Sequence, residues 1–355
     1  MTEARDFLKG NEALAYGALK TGLNAFFGYP ITPSSEIPET LATEFGNPKY
    51  PGFKVFLQAA SEIEAINMVM GAASTGAKAM AATSGPGFSL KQEGISYAAG
   101  MEIPMLIVDV NRGGPGLGNL GPEQTDYFQA TKGGGHGGYR NIVLAPCSVP
   151  EMASFPALGF SLAFKYRNPV IILADAFLGQ LKEDLVFPEV PAPEFDTSWA
   201  TTGARGPERH LLTSMHLGIP ELNAHSEHLR SKYEAVDRAE QRVEKYQTDD
   251  ADVIVVAYGI CARLCQRAVV MLREKGVRVG LLRPITLAPF PRKELAALVR
   301  RGVQDFLVVE LNTGQMLEDV ERAVGGGARI GSVQRVGGLL PSPLDIVRQV
   351  EAMAR

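Results

Sequence analysis

The chain has 355 residues, of which 45% are hydrophobic and 21% charged, an ordinary globular composition long enough for roughly two to three domains. A formal net charge of −4, with Lys and Arg spread rather than clustered, excludes the basic field that nucleic acid requires. The amino-terminal stretch is polar and helical, and no run approaches the ~18 apolar residues of a spanning helix, so no membrane partner and a cytoplasmic location are expected. Cys147, Cys261 and Cys265 form no C-x-x-C pair and no disulfide framework, so no metal site is expected and any redox cluster must come from another chain. Cys261 and Cys265, one helical turn apart, read as small buried hydrophobes.

Residues 8 to 22 predict a helix with Leu8, Ala15 and Leu19 on one side, Asn11 as its cap and Gly22 as its stop. Ala25 to Phe27 reads as a buried strand that Gly28, Pro30 and Pro33 end abruptly, and Ser34 or Ser35 is placed to cap the helix EIPETLATEF that follows. Thr32 therefore falls between a strand's carboxyl end and a helix's amino end, where parallel α/β sheets hold ligands. A strand through Val55 and Leu57 leads into a helix over 61–74, with Ile63, Ile66, Met70 and Ala73 on its sheet side. Strands at 78–83 and 105–110 flank the helix SGPGFSLKQEGISYAAG. Gly116, Gly118 and Gly121 formally satisfy G-x-G-x-x-G, but Pro122 and the GGGHGG run deny the helix that a dinucleotide fingerprint must open, so a long mobile loop is expected. A strand at 141–144, a helix at 148–166 and a strand at 169–175 complete a six-stranded unit, parallel and covered on both faces.

Beyond it the character changes. FPEVPAPEF is a linker by composition, the stretch to about 220 is polar and irregular, and 225–246 predicts a charged connecting helix with Leu229, Tyr233, Val236 and Val243 on a narrow apolar side. From 252 the strand–helix alternation resumes as a second, smaller parallel α/β domain without a P-loop. The expected division is 1–182, 183–249 and 250–355.

Three junctions of the first domain place polar groups where a parallel sheet brings loops together: Thr32, Glu62 and Arg112. An arginine on a Gly-rich loop suits bidentate capture of a carboxylate or phosphate, and equally reads as a surface residue beside a turn. Glu62 reads as a first-turn acid favouring its helix dipole, or, if a partner buries it, as a carboxyl holding a proton against a ring nitrogen. His136, between glycines, is a further base or substrate donor, ranked below these three.

FFGYPITPSSE, LQAASEIEAINMVMGAAS, ATSGPGFSLKQEGISY, VNRGGPGLG, ATKGGGHGGYR and YRNPVIIL resemble the α-type subunit of the 2-oxoacid:ferredoxin oxidoreductases, most of all their branched-chain, 3-methyl-2-oxobutanoate branch; RPITLAPFP and VVELNTGQM extend the resemblance more loosely into the second domain. The resemblance implies a pyrimidine-type thiamine-diphosphate domain followed by a transketolase-C-like domain. It implies Glu62 against the aminopyrimidine ring, with Tyr29, Pro30, Ile31 and Gly85 as cofactor neighbours. Thr32, Arg112 and His136 are then implied on the substrate side. No GDG segment occurs anywhere in the chain. The family therefore implies a β subunit holding the diphosphate, Mg²⁺ and a [4Fe-4S] cluster, a small ferredoxin-like subunit in some members, ferredoxin as acceptor and coenzyme A as acyl acceptor. Three readings compete with this one: a 2-oxoglutarate enzyme, a non-catalytic scaffold subunit and a self-sufficient thiamine enzyme.

Overall fold

The computed structural model describes residues 6–187, 194–203 and 209–353. A strand β1 (Asp6–Lys9) leads into α1 (Gly10–Lys20), followed by β2 (Ala25–Gly28), α2 (Glu36–Glu44), β3 (Val55–Gln58), α3 (Glu62–Ser74), β4 (Ala79–Thr83), α4 (Pro86–Gly100) and β5 (Leu106–Asn111). Next come α5 (Tyr127–Thr131), β6 (Ile142–Leu144), α6 (Val149–Tyr166), β7 (Val170–Asp175), α7 (Ala176–Gln180) and β8 (Lys182–Leu185). The long helix α8 (Ile219–Ala239) and β9 (Val243–Tyr246) lead to β10 (Val253–Ala257), α9 (Gly259–Glu274), β11 (Val279–Pro284) and β12 (Thr286–Ala288). The chain closes with α10 (Arg292–Arg300), β13 (Asp305–Glu310), α11 (Gln315–Val324), β14 (Arg329–Gln334) and α12 (Pro343–Met353).

The first sheet has the order β12-β6-β7-β5-β4-β2-β3, parallel throughout except for β12, which is antiparallel to β6. It is seven-stranded rather than six-stranded because residues 286–288, far along the chain, add themselves to its edge. The chain reverses direction across the sheet at β2, whose neighbours are β3 on one side and β4 on the other. Period-two alternation sorts the strand residues. Met80, Leu106, Val108 and Val110 face the α1, α2 and α6 layer, whereas Ala81 and Ile107 face α3 and α4. The same alternation turns Thr83 and Asp109, at the carboxyl ends of β4 and β5, toward the α4 side. Gly17 lets α1 cross α6 closely, since a Cβ there would stand 2.0 Å from the Ala153 carbonyl oxygen.

The second sheet, β14-β13-β10-β11-β9, is parallel except for β9. One face packs on α9 and α12; on the other, Val256, Phe306 and Val308 join Met316 and Val320 of α11 and Leu295 of α10 in a core continuous with that of α3 and α4. Cys261 and Cys265 are fully buried in the α9 layer, as their spacing suggests.

Several local expectations fail for identifiable reasons. Asn11 caps nothing; it is fully buried, and its side-chain amide donates to the Pro33 carbonyl at 2.7 Å and to Glu36 at 2.9 Å. Neither Ser34 nor Ser35 caps α2, because the Ser34 hydroxyl donates to the Ile31 carbonyl at 2.8 Å and Ser35 makes no capping bond. The helix expected over 225–246 runs from 219 to 239, and Val243 lies in β9 instead. Sheet coverage is incomplete at the β3 edge, where Val55 and Leu57 are 38% and 40% exposed. Part of the proline-rich linker, 188–193, lies outside the described residues, as does 204–208. Among the described residues no helix is long and apolar enough to cross a membrane.

Candidate active site

The switch between β2 and β4 opens a crevice at the strands' carboxyl ends, and the sequence fills its rim with turn-forming residues. Beyond β2, Tyr29 and Pro30 are exposed, Ile31 is half-buried, and Thr32 presents its side chain to the surface. Beyond β4, Gly85 has φ +43° and Pro86 opens α4 as its first residue, a position where the missing N–H costs nothing. Beyond β5, Arg112 is buried at 7% exposure and its backbone bridges to Pro122.

Arg112 and Thr32 meet directly: Arg112 Nη1 donates to the Thr32 carbonyl at 2.8 Å, and Nη2 donates to the Leu117 carbonyl at 3.1 Å. Arg112 Nε is buried with no hydrogen-bond partner. Gly85 lies under this guanidinium, since a Cβ there would stand 3.6 Å from Nε.

Glu62 opens α3 behind Ser61, whose hydroxyl accepts from the Glu64 amide as a true cap. The helix is rotated from the face expected for it: Glu62, Ala65, Ile66, Val69 and Ala73 are buried, while Ile63 is 47% exposed. Glu62 thus turns inward against the start of α4. A Cβ on Gly87 would stand 2.6 Å from Glu62 Oε1 and 2.4 Å from Thr83 Oγ1, so only glycine leaves this approach open. The Gly85-Pro86-Gly87 turn touches Arg112 at one end and Glu62 at the other, and so joins the two halves of the site. Thr83 Oγ1 and Ser84 Oγ beside it are buried and unpartnered.

Sequence reasoning missed two groups here. Lys91 is fully buried one turn beyond Gly87 on α4, and its ammonium donates to the Glu62 carbonyl oxygen at 3.3 Å. Burial drives its pKa down to about 8, against the opposing pull of Glu62. Asp109 is fully buried with no N–H or O–H donor on either oxygen, and it adjoins the half-buried Asp126. Burial foremost, and the Asp126 charge second, holds its carboxyl pKa well above the usual range. Both were detectable as charges at core-facing positions, Lys91 on the helix face of Phe88 and Ile95 and Asp109 within the otherwise apolar LIVDV run.

His136 does not join this arrangement. It is exposed and lines a separate cleft of about 1230 Å³, together with Tyr97, Arg140, Tyr233 and Phe290; Thr32, Glu62 and Arg112 do not line that cleft. The loop expected to be mobile is tied down: the Gly113 amide donates to the Gly121 carbonyl at 3.0 Å, and Asn119 reaches the second domain. Among the described residues Cys147, Glu151 and Glu244 are the one cluster with metal-ligand spacing, but Arg283 pairs with both carboxylates there, at 2.6 Å and 2.7 Å, so the cluster is already charge-compensated.

The donors around the crevice fit a heteroaromatic cofactor presented edge-on: an inward carboxyl at Glu62, a glycine approach at Gly87 and unpartnered hydroxyls at Thr83 and Ser84. Residues 16–248 match the family model for the thiamine-diphosphate-binding region of pyruvate flavodoxin/ferredoxin oxidoreductases, and 251–346 match pyruvate:ferredoxin oxidoreductase core domain II. The ketoisovalerate oxidoreductase subunit VorB of Methanothermobacter marburgensis is 51% identical over 99% of this chain and 98% of its own length. The 2-oxoglutarate synthase subunit KorA of Methanothermobacter thermautotrophicus is 38% identical over 98% and 99%. Among solved structures, a 2-oxoglutarate:ferredoxin oxidoreductase from Magnetococcus marinus, with 2-oxoglutarate, coenzyme A and succinyl-CoA bound, superimposes with a TM-score of 0.89 at 29% identity; it covers 99% of this chain, which spans 66% of that one. A split-gene transketolase shares the fold alone, with a TM-score of 0.60 at 14% identity over 98% of both chains. The chain belongs to the thiamine-diphosphate-dependent 2-oxoacid:ferredoxin oxidoreductases, as one subunit of such an enzyme.

Proposed function

We propose that this chain is the α-type subunit of a CoA-acylating oxidoreductase for a branched-chain 2-oxoacid such as 3-methyl-2-oxobutanoate, with Thr32, Glu62 and Arg112 as its share of the active site. The observation that carries the reading is the convergence of Arg112 on Thr32, and of Glu62 on Gly87, around a single turn at the switch point of the first sheet. Thiamine diphosphate, when bound, supplies the electron sink for loss of CO₂ from the 2-oxoacid. The chain's own work is positional and protonic. Glu62 would hold or exchange a proton at the pyrimidine edge, Gly87 would leave room for the ring, and Tyr29, Pro30, Ile31 and Gly85 would be its neighbours. Arg112, with two N–H groups anchored on backbone carbonyls and Nε unpartnered, receives the substrate carboxylate, and Thr32, whose backbone carbonyl accepts from Arg112 Nη1, lies beside it. His136, on the separate cleft, is left out of the reaction.

No GDG segment exists to hold a diphosphate. We therefore assign the diphosphate, its Mg²⁺ and a [4Fe-4S] cluster to a β subunit, with a small ferredoxin-like subunit as a further partner, ferredoxin as electron acceptor and coenzyme A as acyl acceptor. Apolar side chains left exposed on the elements that carry the crevice support a covering partner: Tyr29, Leu57, Ile63 and Leu90 are each 40–47% exposed. Co-expression with the β subunit tests the reading. The complex is expected to turn over 3-methyl-2-oxobutanoate in preference to 2-oxoglutarate, and the lone chain to bind thiamine diphosphate weakly. Preference for the dicarboxylate would overturn the substrate class, and tight cofactor binding by the lone chain would overturn the shared site.

A further inference from the structure

Arg112 sits at the root of a loop, residues 113–121, that has almost nothing to bury: residues 114–120 are all exposed. Its shape comes from backbone contacts instead. The Gly113 amide donates to the Gly121 carbonyl at 3.0 Å, the Asn119 amide donates to the Gly113 carbonyl at 3.1 Å, and the Gly121 amide donates to Asn119 Oδ1 at 2.8 Å. The loop's outer carbonyl, on Leu117, is what Arg112 Nη2 grips. A loop this exposed keeps one conformation only if something outside it holds it.

The holder is the turn after β14. Asn119 Nδ2 donates to the Gly337 carbonyl at 3.2 Å. Glu123, 1% exposed, accepts from the Gly337 amide with one oxygen and from the Gly114 amide at 3.3 Å with the other. Backbone meets backbone where Gly121 faces Gly338, since a Cβ on Gly338 would stand 3.1 Å from the Gly121 Cα and one on Gly121 2.7 Å from the Gly338 Cα. Gly337 and Gly338 have φ of +70° and +87°, so both the conformation and the approach require glycine.

We infer that the second domain is a strut for the substrate arginine: the Gly337-Gly338 turn, gripped by Asn119 and Glu123, fixes the loop whose Leu117 carbonyl aims Arg112, which makes Asn119 and Glu123 positioning residues. The inference rests on Arg112 binding the substrate carboxylate. It gives the second domain a part in substrate affinity.

The test is made on the assembled complex with 3-methyl-2-oxobutanoate. Arg112→Ala checks the underlying reading and is expected to raise KM at least a hundredfold. Asn119→Ala is expected to raise KM about fivefold, the worth of one net hydrogen bond, and Gly338→Ala about tenfold or more. In both, kcat and thiamine-diphosphate affinity stay within twofold, and the 113–121 amides exchange hydrogen faster. An unchanged KM after Arg112→Ala would remove the reading beneath. A raised KM there, with unchanged KM in Asn119→Ala, would overturn the strut alone. If Gly338→Ala fails to assemble, Asn119→Ala carries the test, because it removes only an exposed side chain. Parallel losses in KM, kcat and cofactor affinity would mark a merely structural contact and overturn the proposal as well.

Discussion

The two sheets of this chain share a parallel α/β construction, yet their strand ends are finished differently. In the second sheet Glu310, Asn312 and Arg283, at or just beyond carboxyl ends, are each engaged within the chain. Glu310 accepts the Met316 and Leu317 amides at 2.8 Å and 3.1 Å, Asn312 accepts the Gly314 and Gln315 amides, and Arg283 is paired with Glu151 and Glu244. In the first sheet the corresponding ends leave Thr83 Oγ1, Ser84 Oγ, both Asp109 oxygens and Arg112 Nε buried without partners. Among the described residues no such orphaned atom falls beyond residue 250. Buried polar atoms are normally satisfied, so the concentration of exceptions marks where the molecule expects something else to bind.

Four substitutions break or sharpen that contrast. The largest effect is expected from Glu62→Gln in the assembled complex, which removes the inward carboxyl but keeps its shape; turnover should fall at least ~10²-fold with subunit assembly unchanged on gel filtration. Unchanged turnover would favour a scaffold role for the chain. Gly87→Ala places a methyl within 2.6 Å of Glu62 Oε1 and should weaken thiamine-diphosphate binding on the order of tenfold, read by cofactor titration.

Lys91→Met tests the charge buried beneath Glu62. The lysine's folded pKa of about 8 lies below its ordinary value of 10.5, so between these values the unfolded chain binds the extra proton and stability rises with pH. Below pH 8 the penalty is fully present, on the order of 3 kcal/mol, and it is gone above pH 10.5. The methionine variant should therefore melt higher than the parent at pH 7 and match it at pH 10.5; a lower midpoint at pH 7 would show that the ammonium is paired. The smallest effect belongs to a satisfied contact between the two domains. Tyr127→Phe loses only the 2.7 Å bond to Asp319 and should cost about 1 kcal/mol in denaturant unfolding, with KM unchanged.

Much of this was legible from residues alone. Apolar runs such as LIVDV and VIVVA announce buried parallel strands, and the prolines after Gly28 announce the turn that carries Thr32. The rest was hidden for physical reasons. β12 is three residues long beside Pro289, and its partner β6 lies about 140 residues earlier, so no local pattern reports the pairing. The α3 face was misjudged because apolar spacing favours Ile63 inside, whereas the site turns Glu62 in and leaves Ile63 exposed. His136 shows the converse limit: glycine spacing identifies a loop but not the side of the molecule it reaches.

The β12–β6 pairing has a consequence for biosynthesis. The outer edge of the first sheet stays uncapped until the ribosome has delivered residues 286–288, so the amino-terminal half leaves the exit tunnel with β6 as a bare hydrogen-bonding rim. A gene split between the halves would produce an amino-terminal product with that edge open to strands of other copies, and self-association of the fragment is the expected outcome, read by light scattering.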